Sequence, residues 1–164
     1  MTRLILIRHA KSSWDDPEAA DHDRRLNARG RRSAEALGHW LRSRGYLPDQ
    51  VLCSSATRTR ETLEMLGLGE VPTQFVPALY HAEAQAMLAE LRKATGQTVM
   101  MLGHNPGIAE FAARLLAAPP RHAEFAHYPT GATLVADFGG EGWASADWGT
   151  GAALDFVVPR ELVA

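Results

Sequence analysis

Apolar positions along the chain follow two different periods. Leu4–Ile7 is an unbroken apolar run inside a predicted strand at 3–7 that stops abruptly at Arg8-His9, the pattern of a strand buried on both faces of a mostly parallel sheet. From Asn27 the period lengthens: Asn27 is a candidate N-cap, Ala34, Leu37 and Leu41 form a helical stripe, and Gly45 is a C-terminal stop. Residues 51–53 read as a second strand, after which Ser54 and Ser55 are candidate caps for a helix over 57–66. Residues 72–76 form a weaker third strand. Met87, Leu88 and Leu91 mark a helix over 84–93, and 98–102 is a fourth buried strand that runs into Gly103-His104-Asn105-Pro106. Asn105 as cap and Pro106 at the first helical position predict a helix over 107–116.

Beyond this point helices give way to strands at 132–138 and 153–158, joined by a Gly-rich stretch, 139–151, that holds Trp143 and Trp148. A closing hairpin is the simplest arrangement. Alternating strands and helices predict an α/β fold, a three-layer α/β/α domain around a mostly parallel sheet. No internal repeat or interdomain linker interrupts residues 1–164, and Pro119-Pro120 reads as a loop within a single domain.

Composition narrows the function. Seventeen Lys and Arg against nineteen Asp and Glu give a net charge of -2, which removes the global attraction that non-specific nucleic-acid binding needs. Leu4–Ile7 is too short for the apolar region of a signal peptide, and nothing approaches the ~20 apolar residues of a membrane span. The expectation is a cytoplasmic, unexported protein, a monomer with no membrane or nucleic-acid partner. The lone Cys53 forms no intrachain disulfide and fits a reducing compartment.

In an open α/β sheet, ligands sit beyond the carboxyl ends of the strands, and here two strands deliver His9 and His104 to that edge. A third delivers Ser54-Ser55, with Arg58 in the first turn of the next helix. Arg8 and Arg58, with two helix N-termini, suit a phosphoryl group, because a guanidinium fork matches phosphate oxygens and remains charged. Arginines beside His9 favour its neutral form, and a neutral imidazole can attack phosphorus and split the transfer into two steps.

Four motifs occur in order: RHAKSSW at 8–14, DHDRRLNARG at 21–30, SSATRTRET at 54–62 and GHNP at 103–106. Together with the ending TGATLVADF…DFVVPREL, the chain resembles the histidine phosphatase superfamily with its phosphoglycerate mutase-like fold, and within it the small SixA-type phosphohistidine phosphatases. The resemblance implies a minimal version of that fold without large insertions. It assigns His9 as the phosphorylated nucleophile, with Arg8, Arg58 and His104 as ligands of the phosphoryl group. Lys11 and Asn27 are further expected phosphate-binding residues, although Asn27 and Gly30 also read as positional, one a cap and the other a close backbone approach. Ala10 stands where much of the superfamily has glycine, and RHAKS-like starts occur in the SixA-type subgroup.

The implied reaction needs no cofactor and no metal: the chain contains no HxH, no HExxH and no pair of histidines four apart. A cysteine-phosphatase reading fails because Thr59, not arginine, lies six positions after Cys53. The expected substrate is a phosphorylated protein, a histidine phosphotransfer domain being one candidate. A small phosphomonoester is the alternative, and a non-catalytic phospholigand-binding module is the rival of another class, disfavoured by the intact His9. A mutase is disfavoured because the short chain leaves little room for insertions that exclude water. For the general acid, residues 79–84 offer only Glu83 and His81. His22, His39, His122 and His127 are read as structural. The Arg24, Arg25, Arg29, Arg31 and Arg32 cluster is either a solvated face or a steering surface for an acidic phosphoprotein.

Overall fold

The computed structural model describes residues 1–163, built on one six-stranded sheet. The strands are β1 (Thr2–Arg8), β2 (Gln50–Ser54), β3 (Thr73–Val76), β4 (Thr98–Gly103), β5 (Thr133–Phe138) and β6 (Gly151–Val157). The helices are α1 (Ala28–Arg44), α2 (Thr57–Leu66), α3 (Ala84–Arg92) and α4 (Gly107–Leu115). The spatial order is β3-β2-β4-β1-β5-β6, with β2–β3, β2–β4 and β1–β4 parallel and β5 antiparallel to both β1 and β6. Only β5 runs against the rest.

The two-residue period of β1 creates the layers. Leu4 and Leu6 face a core with α3 and α4, including Met87, Leu91, Ile108, Phe111 and Leu115. Ile5 and Ile7 point the other way, toward Leu37 and Leu41 of α1 and Leu66 of α2. Because successive side chains alternate between faces, an apolar run without polar interruptions is what a strand covered on both sides requires. No helix among the described residues is long and apolar enough to cross a membrane.

The cap and stop of α1 are as its sequence predicts: Asn27 accepts a 2.7 Å hydrogen bond from the Gly30 amide, and Gly45 ends the helix at φ 71°. Gly30 also allows a close approach, since a Cβ there would lie 2.0 Å from the Lys11 carbonyl oxygen. The expected serine cap of α2 is different. Ala56 occupies the N-cap, with no side-chain cap, while Ser54 Oγ, at the strand end, is turned to His104 at 2.7 Å. Likewise Pro106 lies at the N-cap of α4, one position before the expected one, with Asn105 Oδ1 accepting from the Ala109 amide at 3.3 Å. In the closing hairpin, pairing of Gly151 with Phe138 starts β6 two residues before the expected 153.

Trp143 is buried and donates to the Gly96 carbonyl at 2.7 Å, while Trp148 packs edge-on to Phe111. The tryptophan loop therefore closes the core.

Candidate active site

β1, β2 and β4 are neighbours and parallel, so their carboxyl ends meet at one edge. His9 leaves β1, Ser54 ends β2 and His104 leaves β4. A cavity of about 340 Å³ opens there, lined by Arg8, His9, Lys11, Arg58, His81 and His104 of the predicted set. Asn27 and Glu83 are not among its lining residues: Asn27 spends its side chain on the α1 cap, and Glu83 is an exposed N-cap residue of α3. Of the two candidate acids, only His81 reaches the site.

His9 is 5% exposed and its Nδ1 lies 2.7 Å from the Ala10 carbonyl. Since a carbonyl only accepts, Nδ1 carries the proton, and Nε2 keeps a lone pair that no group among the described residues engages. Burial is the largest influence on this imidazole; with the charges of Arg8, Arg58 and Arg24 it pushes the pKa down to about 3, so His9 is neutral at physiological pH. A buried neutral imidazole held in one tautomer is a prepared nucleophile.

The His104 ring lies 5.3 Å from that of His9, centroid to centroid. Its pKa is also pushed down to about 3, mainly by burial and then by the nearby His9 and Arg58. Ser54 is fully buried; its Oγ accepts from the Ala56 amide at 3.3 Å and, among the described residues, has no acceptor in reach for its own proton except His104 Nε2 at 2.7 Å, so the hydroxyl donates to that nitrogen. His104 Nδ1–H is then a donor, and it is buried without a partner, as is Nε of Arg8. Unpaired buried donors are costly, and both of these lie beside the nucleophile, where donors can stabilise developing negative charge.

Asp21, to which no local sequence signal gives a role, organises the remaining cations. Its carboxylate accepts from Tyr80 at 2.5 Å, Arg24 at 3.0 Å and Arg58 at 3.1 Å, and its carbonyl accepts from Arg58 at 2.7 Å. These bonds hold its pKa well below the usual carboxylate range, Tyr80 foremost. Asp21 thus aims Arg58 and cannot serve as a proton donor near neutral pH. Arg24, expected in a surface cluster, is instead buried, bonded to Ser12 Oγ and to the Ser13 carbonyl. On the other side, Arg8 donates to the carbonyl of Tyr128, a buried residue at φ 48° whose hydroxyl is tied to the Leu6 carbonyl. Such a left-handed tyrosine persists only where its surroundings over-determine it, and here they fix the carbonyl that orients Arg8.

None of His22, His39, His122 and His127 is buried in the core; His22 bonds Ser55, His39 bonds Arg42 and His122 bonds Glu161. Cys53 is buried and its thiol is pushed up to about 12 by burial, an inert small hydrophobe. Among the described residues, no group of three His, Cys, Asp or Glu side chains is placed to hold a metal ion.

A sequence model of the histidine phosphatase superfamily (branch 1) matches residues 4–81. A Mycobacterium tuberculosis protein of uncharacterized function is 35% identical over 161 residues, which are 94% of this chain and all of that one. The chain belongs to the histidine phosphatase superfamily. A chloroplastic protein of Arabidopsis thaliana, also uncharacterized, is 39% identical over 130 residues, 71% of this chain; the match spans 60% of the plant protein's length. Among solved structures, a Nakamurella multipartitia protein assigned as the phosphohistidine phosphatase SixA superposes with a TM-score of 0.86 at 30% identity, covering 99% of this chain and 97% of that one. An Agrobacterium tumefaciens protein with the same assignment gives 0.77 at 27% identity over 96% and 99% of the two chains. The part of the histidine phosphatase match within 4–81 holds Arg8, His9, Asp21 and Arg58, while His104 lies outside it and joins the site through β4.

Proposed function

We propose that this histidine phosphatase superfamily phosphatase removes the phosphoryl group from phosphohistidine in proteins. The carrying observation is the absence of a protonatable carboxyl group from the described site: Asp21 is held ionised by Tyr80, Arg24 and Arg58, and Glu83 does not line the cavity. An alkoxide is a poor leaving group and depends on a positioned acid, whereas the imidazole of phosphohistidine can be protonated before its bond to phosphorus breaks. The assignment of the Nakamurella multipartitia and Agrobacterium tumefaciens relatives supports the same substrate.

In the first step, the His9 Nε2 lone pair forms a bond to phosphorus as the substrate P–N bond breaks, and the freed imidazole leaves with its proton. Nδ1–H stays on the Ala10 carbonyl throughout. Arg8, Arg58 and the His104 Nδ1–H face the transferring oxygens, each such contact contributing ~10² to 10³ in rate. In the second step, water attacks phosphorus, the bond to His9 breaks, and inorganic phosphate is released.

The competing small-phosphomonoester reading rests on His81, which lines the cavity and lies 3.9 Å from Asp21. A series of aryl phosphates of graded leaving-group pKa, run beside a phosphohistidine protein and phosphoserine, separates the two. We expect the phosphohistidine protein to be the best substrate, phosphoserine poor, and log kcat/KM to fall steeply with leaving-group pKa. A flat dependence together with a large loss in His81→Ala would overturn the proposal.

A further inference from the structure

A second and larger cavity, about 570 Å³, adjoins the catalytic one and shares Lys11 and Thr130 with it. Lys11, Arg29 and Arg32 line it and are exposed, and among the described residues none of the three has a carboxylate within 4.0 Å. Arg160 also lines it, paired with Glu124 at 3.4 Å. The surplus of positive charge here stands against a chain of net charge -2, so it is local to this region rather than a property of the whole chain.

The placement of these arginines is unfavourable for the fold itself. Arg29 and Arg32 fall within the first five residues of α1, whose first turn contains no acidic residue, so their charges oppose the positive end of the helix dipole. Gly30 seats that same helix end directly on the Lys11 backbone. A local choice that works against the helix, fixed rigidly beside the nucleophile's loop, marks a surface kept for an anion. Trp14, which also lines the catalytic cavity, is 77% exposed, its ring covered by the Arg24 guanidinium at 3.3 Å. An exposed, braced tryptophan beside arginines is the composition of a protein contact.

We propose that this basic groove docks carboxylate side chains on the surface of an acidic phosphoprotein, presenting its phosphohistidine to His9. The inference rests on the phosphohistidine reading above and names the charge of the partner. Arg29 and Arg32 act on encounter and binding, outside the chemical steps.

The test uses the double variant Arg29→Glu/Arg32→Glu with three readouts. On a phosphohistidine protein of net negative charge, kcat/KM should fall about 10-fold or more, through KM, and the wild-type rate should drop with added salt more steeply than the variant's. On phosphoramidate, which has no docking surface, kcat/KM should be unchanged. The melting temperature should hold or rise, because acids replace bases at the helix N-terminus. Equal turnover of the phosphoprotein by variant and wild type overturns the inference while leaving the phosphohistidine reading intact. Equal loss on both substrates overturns it in favour of a role in shaping the catalytic site. If inorganic phosphate binds a second site in the wild type but not in the variant, and phosphoprotein turnover is unaffected, the groove is a small-anion site instead. Failure of the wild type to hydrolyse any phosphohistidine defeats the underlying reading.

Discussion

Gly30→Ala offers a quantitative test of how the fold carries the site. The new Cβ would stand 2.0 Å from the Lys11 carbonyl oxygen and 2.9 Å from its carbon, both backbone atoms that no rotamer change relieves. Ordinary contact requires α1 to retreat by more than about 1 Å. The Asn27 amide, bonded to the same carbonyl at 3.0 Å, would retreat with it. Alanine in a helix gains up to ~1 kcal/mol over glycine. Against this stand ~1–3 kcal/mol for overpacking and ~1 kcal/mol for a weakened hydrogen bond. The net loss is ~1–3 kcal/mol, which at this chain length lowers the melting temperature by roughly 3–10 °C. Because Lys11 follows His9 by two residues, kcat should fall by up to ~10², the cost of misplacing a reacting group by about 1 Å. Gly139, with open space around its would-be Cβ, is the control, and Gly139→Ala should change neither quantity. Calorimetry and steady-state kinetics on both variants decide the matter. A Gly30→Ala protein with wild-type kcat and an unchanged or higher melting temperature would refute the close-approach argument.

The imidazole resonances of His9 and His104 should not titrate near 6.5, since both pKa values are pushed down to about 3. The unfolded chain binds their protons from about pH 6.5 downward while the folded chain does not, so this stability is fully present above pH 6.5 and is lost as pH falls toward 3. Assigning the resonances by loss in His9→Ala and His104→Ala, a midpoint near 6.5 for either would contradict the burial argument. Ser54→Ala should lower kcat by on the order of 10- to 100-fold with KM little changed, because His104 loses the bond that sets its tautomer; it should also destabilise by about 1–3 kcal/mol, leaving Nε2 buried and unpaired. Unchanged kcat in a folded Ser54→Ala protein would show that the tautomer is set elsewhere.

The parts of the fold governed by local physics were legible in the sequence. The apolar run of β1, the Asn27 cap and the Gly45 stop each depend on residues near one another in the chain, whereas Gly30 signals a close approach without naming Lys11 as the partner. The convergence of Arg8, His9, Arg58 and His104 was legible for a related reason: strand ends meet at one edge of a parallel sheet whatever the details. What was not legible depends on distant partners. Asp21 acquires its role from Arg58 and Tyr80, 37 and 59 residues away, and nothing near it in the chain signals this. Ser54 reads as a helix cap because caps are common at that position, yet its hydroxyl goes to His104, 50 residues on. Arg24 sits in a run of basic residues that pattern alone cannot separate into a buried site member, a Glu61 partner in Arg25, and the groove pair Arg29 and Arg32.

Passage of the phosphoryl group through His9 Nε2 is the step on which the proposed reaction depends. It is tested most directly by mixing the protein with a phosphohistidine protein labelled in the phosphoryl group, quenching within milliseconds in alkali, and mapping the label by peptide mass spectrometry. A transient, acid-labile phosphoryl group is expected on the peptide carrying His9, at an amount approaching the enzyme concentration, and none in His9→Ala. Label trapped on another residue, or full turnover by His9→Ala, would contradict it.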